Sequence, residues 1–285
     1  LGVRVEQIDR DNKTIRLSDQ STLKYDQLVL ATGSHVRRLR APGSDLQGIH
    51  YLHDITDTDA LREKLVPGKR LVIVGGGYIG LEVAASATKK GVNVTVLEAA
   101  DRLMQRVTGP EMSAFFYAKH RGAGVDVRLN TAVTGFEAGD QGRVAGVTLA
   151  DGGTVPADVV LVSIGVIPET ALAEAAGLPC DDGIVVDDRC QTSDPAIFAA
   201  GEVTSHPVLG GAFRQRLESW KVASGQSLVA AKSMAGIDSH YAEPPWLWSD
   251  QFGHNIQSLG VLQNADRSVV LDDPETHNWT AIFLD

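Results

Sequence analysis

Three glycines and one glutamate have the residue types and spacing of a dinucleotide-binding site. Gly75, Gly77 and Gly80 form the pattern G-x-G-x-x-G, and Glu98 follows the last of them by 18 residues. In such a pattern the first glycine permits a tight turn, the second lets the backbone approach a pyrophosphate, and the third lets helix and strand pack closely. An acidic residue near this distance binds the ribose 2′-hydroxyl. We therefore expect these four residues to contact a dinucleotide.

The elements around these residues are the ones that this chemistry needs. Apolar residues 71–74 predict a short buried strand, residues 79–90 predict a helix that stops at Gly91, and residues 92–97 predict a second strand. The helix would direct its unpaired N–H groups and a partial positive charge at the phosphates. A glycine-rich turn in another kind of α/β protein would not need this whole combination. We interpret residues 71–98 as a dinucleotide-binding unit.

The composition excludes several classes of function. A net charge of −10 argues against nucleic acid as the main partner. The sequence contains no apolar run of about 18 residues, so we expect neither a transmembrane helix nor a membrane partner. Cys180 and Cys190 suit a reducing cytoplasm, and their spacing matches no redox pair or zinc site. The histidines show no metal-binding spacing, so we expect no metal site. From the two cysteines we expect a cytoplasmic protein.

Further helices and strands are predicted on both sides of the unit, from hydrophobic periodicity and turn residues. The predicted helices cover residues 54–65, 111–121 and 220–235. The predicted strands cover residues 3–8, 15–17, 28–31, 125–129, 131–138, 144–149, 159–164, 196–200, 256–262, 268–271 and 279–284. This order indicates an α/β nucleotide domain with an inserted antiparallel ribbon, followed by the start of another module.

Several segments in this order resemble a known superfamily. They are Tyr25–Gly33, residues 71–98, Ile164–Pro168, Thr192–Pro195 and Ala200–Val203. Together they resemble the two-dinucleotide flavoproteins of glutathione-reductase type. Residues 216–220 (RLESW) and 245–251 (PWLWSDQ) narrow the resemblance to NADH-dependent ferredoxin reductases of the putidaredoxin and rubredoxin reductase type, which include the reductase components of aromatic-ring dioxygenases. The resemblance covers essentially the whole chain.

The resemblance implies a fold and a domain order. The expected fold class is α/β, with two interleaved dinucleotide-binding domains of glutathione-reductase type and the start of an α+β C-terminal interface domain. The expected FAD-binding domain comprises residues 1–66 and 179–241, the NAD-binding domain residues 67–178, and the interface domain starts at residues 242–285. Members of the family begin with their own G-x-G-x-x-G, which would precede residue 1 of this chain, and their C-terminal domain continues beyond residue 285. We therefore expect this chain to be incomplete at both ends. The 285 residues alone are then expected to bind NADH but not FAD, and to be inactive.

The resemblance also implies cofactors and a partner. FAD and NAD(H) are the expected cofactors, and a [2Fe–2S] ferredoxin is the expected electron acceptor, while the oligomeric state stays open. On the FAD side, Val5 matches a backbone contact to the adenine, Ala31, Thr32 and Gly33 match a strand end along the FAD, and Gly201 precedes Glu202 at a ribityl contact. His53 stands where many members have an arginine that contacts FAD, Glu202 stands where the family usually has aspartate, and Trp220 matches a flavin-ring contact.

On the NAD side, Tyr78 matches a residue that can gate the nicotinamide pocket, and Glu82 matches an acid near the nicotinamide. Ile79, Ile164 and Gly165 complete the expected cofactor contacts. No side chain is expected to act as a general acid or a nucleophile, because the cofactors carry the chemistry.

Alternatives remain open from the sequence alone. Glu98 could be a solvated carboxylate at a strand end, and Glu82 could be a surface residue of its helix. Residues 35–40 (HVRRLR) could be a solvated loop or a docking patch for an acidic ferredoxin. The protein could also be an NADH oxidase or a disulfide reductase on the same scaffold. It could finally be a nucleotide-binding remnant that performs no catalysis.

Overall fold

The computed structural model describes residues 2–211, 213–262, 265, 267–272 and 279–284. The chain forms two compact units. The first unit comprises residues 1–35, 167–247 and 257–260, and the second comprises residues 36–166, 248–256 and 261–285. These units are defined by packing, and the functional domain boundaries at 66/67, 178/179 and 241/242 stay predictions.

The described residues contain the following helices and strands. The helices are α1 (Ile55–Arg62), α2 (Tyr78–Lys89), α3 (Pro110–Gly122), α4 (Ala171–Ala175) and α5 (Trp220–Met234). The strands are β1 (Val5–Asp9), β2 (Thr14–Leu17), β3 (Thr22–Lys24), β4 (Leu28–Leu30), β5 (Ser34–Val36), β6 (Ile49–His50), β7 (Arg70–Val74), β8 (Asn93–Leu97), β9 (Asp126–Arg128), β10 (Val133–Ala138), β11 (Val144–Leu149), β12 (Thr154–Pro156), β13 (Val159–Val162), β14 (Val166–Pro168), β15 (Ile184–Val185), β16 (Ile197–Ala199), β17 (Thr204–Val208), β18 (Phe213–Gln215), β19 (Trp246–Gln251), β20 (His254–Leu259), β21 (Arg267–Leu271) and β22 (Thr280–Leu284).

The second unit is built on a parallel sheet with the strand order β6-β13-β7-β8-β9. Its central strands β7 and β13 are almost entirely apolar and buried, as expected for parallel strands that are covered on both faces. Helix α2 connects β7 to β8 and buries Leu81, Ala84 and Ala85. Small side chains on this face allow the helix to pack closely over the sheet.

Other parts of the second unit complete its core. Strands β10, β11 and β12 form the antiparallel ribbon that the sequence predicts. Helix α1 begins after Asp54, which forms a reciprocal capping box with Asp57, and buries Leu61. Residues 248–256, which include parts of β19 and β20, belong to this unit, and residues 267–271 pair with residues 280–284 in antiparallel orientation.

The first unit contains three small sheets. Strands β1, β2 and β3 form an antiparallel sheet, β4 pairs with β16 in parallel, and β17 lies between β15 and β18. A buried cluster that includes Ile8, Leu30 and Ile197 holds these strands together. An ion pair of 2.7 Å joins Arg10 at the end of β1 to Asp194 in the turn before β16.

The predicted fold class is confirmed, and all three predicted flanking helices are present. Where an element was predicted, most differences lie at its ends, such as the helix predicted over residues 54–65, which ends at Arg62. Residues 36–65 pack in the second unit because β6 joins its sheet and Leu61 enters its core. Several short elements of two to five residues had no predicted counterpart, because segments of that length carry little periodicity; they are β3, β5, β6, β12, β14, β15, β17, β18 and α4.

Candidate functional site

Two of the three glycines occupy positions that no other residue fits. Gly75 has a φ of +105°, and a Cβ placed on it would lie 2.2 Å from the carbonyl oxygen of Ser163. A Cβ placed on Gly80 would lie 2.5 Å from the carbonyl oxygen of Gly75. Both contacts are far shorter than van der Waals distance and involve backbone atoms that cannot move aside. These glycines allow β7 to turn sharply into α2 and let the helix approach the sheet.

Gly77 lies in an open position at the start of the same helix. It is the N-cap residue of α2, with φ of −82°, and no heavy atom lies within 4 Å of the position that its Cβ would take. The space beside Gly77 is therefore free on the side where the first N–H groups of a twelve-residue helix are unpaired. This arrangement fits the pyrophosphate of a dinucleotide.

Glu98 is anchored beside this turn by backbone N–H groups. It follows β8, and its Oε2 accepts a hydrogen bond from the N–H of Gly76 at 2.7 Å. Its Oε1 accepts from the N–H of Ala100 at 2.8 Å. Glu98 is partly buried, so the alternative of a freely solvated carboxylate does not hold. The carboxylate stands where the fingerprint needs an acceptor for ribose hydroxyls.

Ile164 and Gly165 lie in the same region of the second unit. They follow β13, which neighbours β7, and the N–H of Ser163 donates to the carbonyl of Val74 at 2.8 Å. Gly165 has a φ of +94°, and a Cβ placed on it would lie 3.3 Å from Nη2 of Arg106. The sequence reasoning missed Arg106, because an arginine in a charged loop after Glu98 carries no spacing signal. Its guanidinium adds a positive charge close to the loop after β13.

Tyr78 and Glu82 lie one turn apart on α2. Burial raises the pKa of Tyr78 to about 12, and the nearby Glu82 adds to this shift. Burial also raises the pKa of Glu82, whereas a hydrogen bond of 2.5 Å from the Ser249 hydroxyl opposes that shift and the charge of Asp250 adds to it. Glu82 is partly buried, so it is not an ordinary surface residue. Ile79, between them, is exposed.

In the first unit, two strand ends meet at one edge. Strands β4 and β16 are parallel neighbours, with Leu30 opposite Ala199, so Ala31–Gly33 and Gly201–Glu202 emerge side by side. The Ser34 hydroxyl donates to Oε1 of Glu202 at 2.7 Å. A Cβ placed on Gly33 would lie 3.4 Å from the same oxygen. Ser34 is a residue that the sequence reasoning missed, although it directly follows the predicted strand end.

The remaining expected FAD contacts are more dispersed. Val5 lies on β1, which belongs to a different sheet of the first unit. Trp220 is the first residue of α5 and is 69% exposed, which leaves its ring face open. His53 belongs to the second unit, where its N–H donates to Asp57 at 3.0 Å. Within the first unit, the structure therefore groups Ala31–Gly33 with Gly201–Glu202.

Other kinds of site are not present in the described residues. No group of three or more His, Cys, Asp or Glu side chains there is arranged to hold a metal ion. Cys180 and Cys190 are free, and burial raises the pKa of the Cys190 thiol to about 12. None of the described helices is long and apolar enough to cross a membrane.

The basic segment 35–40 is engaged in local contacts. Nδ1 of His35 lies 2.6 Å from Oε1 of Glu169 in the first unit. The guanidinium of Arg38 stacks over the ring of Tyr51, 4.8 Å from its centroid, in the second unit. These contacts give His35 and Arg38 a structural role, and ferredoxin docking stays an open alternative.

Three features define an α/β protein of the dinucleotide-binding class. They are the glycines that shape a helix N-terminus, the anchored acid after the next strand, and the second pair of parallel strand ends. A family model described as pyridine nucleotide-disulphide oxidoreductase matches residues 1–227, and one described as reductase C-terminal matches residues 246–285. The chain belongs to the pyridine nucleotide-disulphide oxidoreductase family.

Its relatives include several electron-transfer reductases. The chain is 46% identical to the anthranilate 1,2-dioxygenase system ferredoxin–NAD(+) reductase component of Burkholderia cepacia, across 100% of this chain and 70% of that protein. It is 42% identical to putidaredoxin reductase of Pseudomonas putida, across 99% of this chain and 68% of that protein. Putidaredoxin reductase in its covalent complex with putidaredoxin matches with a TM-score of 0.96 and 40% identity, across 99% of this chain and 69% of that chain.

Proposed function

We propose that the protein passes electrons from NADH through FAD to a [2Fe–2S] ferredoxin that serves a ring-hydroxylating dioxygenase or another oxygenase. The observation that carries this proposal is the likeness along the entire chain to reductases named for such acceptors, at 46% and 42% identity. The solved relative captured with its putidaredoxin supports an iron–sulfur protein as the partner.

The second unit is the NADH site in this proposal. The start of α2, with Gly75 and Gly77, holds the pyrophosphate, because its free N–H groups and open space suit an anion. Glu98 accepts hydrogen bonds from the ribose hydroxyls and repels a 2′-phosphate, so NADH is preferred over NADPH. Ile164 and Gly165 follow β13, the parallel neighbour of β7, and line the site at the end of that strand.

Tyr78 and Glu82 stand at the nicotinamide end of this site, and Ile79 contributes exposed apolar surface beside them. Tyr78 remains a neutral phenol at working pH, because its pKa is raised to about 12. It can therefore cover or uncover the nicotinamide without a change of charge. The family resemblance implies these roles, and the location of both side chains on the first turns of α2 is compatible with them.

The first unit contributes the FAD contacts. Ala31, Thr32 and Gly33 lie along the FAD, and Gly201 lets Glu202 reach a ribityl hydroxyl. The family resemblance further implies that Val5 would contact the adenine and that Trp220 would contact the flavin ring. His53, which belongs to the second unit, is expected to supply a further polar contact. FAD held by these residues would supply the link between NADH, which gives two electrons at once, and an acceptor that takes one electron at a time. The side chains bind and orient the cofactors, and none acts as a general acid or nucleophile.

Two rival functions share this scaffold. A water-forming NADH oxidase of Lactobacillus brevis matches with a TM-score of 0.87 at 24% identity, which shows a shared fold alone. A disulfide reductase needs a reactive thiol, and the buried Cys190, with a pKa of about 12, is unsuited to that role. A nucleotide-binding protein without catalysis would not need FAD. We also propose a cytoplasmic location, which the two free cysteines support.

The decisive experiment combines a flavin spectrum with acceptor assays on the purified full-length protein. We expect bound FAD, NADH-dependent reduction of a [2Fe–2S] ferredoxin, and much slower reaction with NADPH. Oxygen consumption at the rate of NADH oxidation without any ferredoxin would identify an oxidase, and reduction of a disulfide substrate would identify a disulfide reductase. Absence of flavin absorbance would contradict all three enzymes.

A further inference from the structure

Three buried side chains of the second unit form an unbroken row of hydrogen bonds that ends at Glu82. Nε2 of His120 lies 2.9 Å from Oε1 of Gln251. Nε2 of Gln251 donates to the Ser249 hydroxyl at 3.0 Å, and this hydroxyl donates to Oε1 of Glu82 at 2.5 Å. His120, Gln251 and Ser249 are each almost completely excluded from solvent.

The row has one direction. The Gln251 amide nitrogen donates to Ser249, so its oxygen accepts, and Nε2 of His120 must carry the hydrogen. The Ser249 oxygen accepts from Gln251 and gives its own hydrogen to Glu82. Each donor therefore strengthens the next, and the positive end of every dipole is turned toward the carboxylate.

The charges around this row explain why Glu82 needs support. Burial raises the pKa of Glu82, and the negative charge of Asp250 on β19 raises it further. Tyr78, one turn back on α2, is a neutral phenol. Burial lowers the pKa of His120, although its contact with Gln251 opposes that shift, and so favours the neutral form of the ring. The Ser249 hydroxyl is thus the contact that counteracts protonation of Glu82.

We propose that Ser249, Gln251 and His120 are positioning residues that keep Glu82 a carboxylate and fix Oε1, which leaves Oε2 to accept an N–H from the nicotinamide carboxamide. This inference rests on the proposed function, in which Glu82 lies at the nicotinamide end of the NADH site. Within the described residues, the hydrogen-bond donor to Glu82 is Ser249, and it engages Oε1. The new element is the positioning of Glu82 by Ser249, Gln251 and His120, since it links a buried network to the affinity for the cofactor.

The test is a double-mutant cycle of Ser249→Ala and Glu82→Gln, read as NAD⁺ affinity by calorimetry over a series of pH values from the mildly alkaline to the acidic side of neutrality. NAD⁺ carries the same carboxamide as NADH and causes no turnover. Affinity should fall as pH falls through the pKa of Glu82. Ser249→Ala should weaken binding about tenfold and move this loss upward by about one pH unit, the size of one hydrogen bond to a charged group.

The controls separate positioning from folding. Ser249→Thr retains the hydroxyl and should restore both the affinity and the pH midpoint. Ser86→Ala makes the same change at an exposed position of α2 and should alter neither. Gln251→Met removes the amide at nearly constant length and should weaken binding about threefold, less than Ser249→Ala, because the Ser249 hydroxyl remains. If Ser249→Ala does not fold, Gln251→Met takes its place in the cycle.

Each outcome decides a different question. In the Glu82→Gln background, Ser249→Ala should have no further effect and the pH dependence should be absent. Additive effects of the two substitutions, or an unchanged pH midpoint in Ser249→Ala, would overturn the inference while the NADH site stands. Failure of the unmodified protein to bind NAD⁺ would overturn the proposed function and this inference with it.

Discussion

The two strand-end sites share a plan but hold their carboxylates differently. In both units, neighbouring parallel strands end at one edge, where glycines and a glutamate follow them. Glu98 of the second unit accepts from the backbone N–H groups of Gly76 and Ala100. Glu202 of the first unit accepts from the side chain of Ser34. The first arrangement depends on backbone conformation, whereas the second depends on the type of one residue.

This difference has consequences for how each site responds to substitution. A carboxylate that is held by backbone N–H groups keeps its place as long as the surrounding turn keeps its conformation. The positive φ of Gly75 sets that conformation. A carboxylate that is held by a hydroxyl loses its partner with a single side-chain change. We therefore expect glycine substitutions to dominate in the second unit and polar side-chain substitutions to act locally in the first.

The largest predicted effect distinguishes Gly75 from Gly77. Gly75→Ala should lower the free energy of unfolding by about 2 kcal/mol or more, because it combines a positive φ with a backbone clash at 2.2 Å. Gly77→Ala should change it by at most about 1 kcal/mol, because its φ is negative and its surroundings are open. It should nevertheless abolish most NADH binding, since the new methyl group occupies the space of the pyrophosphate.

Thermal or urea unfolding and calorimetric titration with NADH measure these two quantities separately. FAD content serves as the control for the first unit and should be unchanged in Gly77→Ala. Equal destabilisation by the two substitutions would contradict the idea that Gly75 shapes the turn while Gly77 faces the ligand.

The second prediction concerns the backbone-held Glu98. A carboxylate about 4 Å from a 2′-phosphate repels it by roughly 4 kcal/mol at an effective dielectric constant of about 20, before salt screening. Glu98→Ala should therefore narrow the preference for NADH over NADPH. It should also cost about 1–3 kcal/mol of stability, because the N–H groups of Gly76 and Ala100 lose their acceptor.

Ratios of kcat/KM for the two cofactors, with unfolding measured in parallel, test both parts. Glu137→Ala, at an exposed strand position of the same unit, is a suitable control for the loss of one negative charge. Equal efficiency with NADH and NADPH in the unmodified protein would remove the basis for this assignment.

The sequence predicted much of the second unit because its signals are local. Apolar runs at residues 71–74 and 92–97, with glycines between them, specify strand, turn and helix within a single short stretch. The position of Glu98 follows from the same spacing. Its bond to Gly76 was not predicted, because a side chain's partner depends on the conformation of the turn.

The contacts that sequence could not supply join distant parts of the chain. Ser249 reaches Glu82 across 167 positions, and Ser34 reaches Glu202 across 168. No periodicity links such residues, because only folding brings them together. The motif at residues 245–251 marked Ser249 as part of a family pattern, yet its role became visible only beside Glu82.

The smallest predicted effect tests the side-chain-held carboxylate of the first unit. Ser34 is buried, and its hydroxyl is the contact that orients Oε1 of Glu202 toward the strand ends. Ser34→Ala removes this bond and leaves Glu202 free to rotate, at a cost of about 1–2 kcal/mol to any ligand that Glu202 must meet in one orientation. We expect FAD affinity to fall about fivefold to thirtyfold, the factor that corresponds to this energy. NADH affinity should not change, because Glu98 keeps its backbone partners in the other unit.

Ser34→Thr retains the hydroxyl and should bind FAD more tightly than Ser34→Ala, provided that the additional methyl group fits. Fluorescence titration of the apoprotein with FAD measures the first quantity, and calorimetry with NADH measures the second. Unchanged FAD affinity in Ser34→Ala would show that Glu202 is oriented by its own backbone, so that the two sites would hold their acids alike.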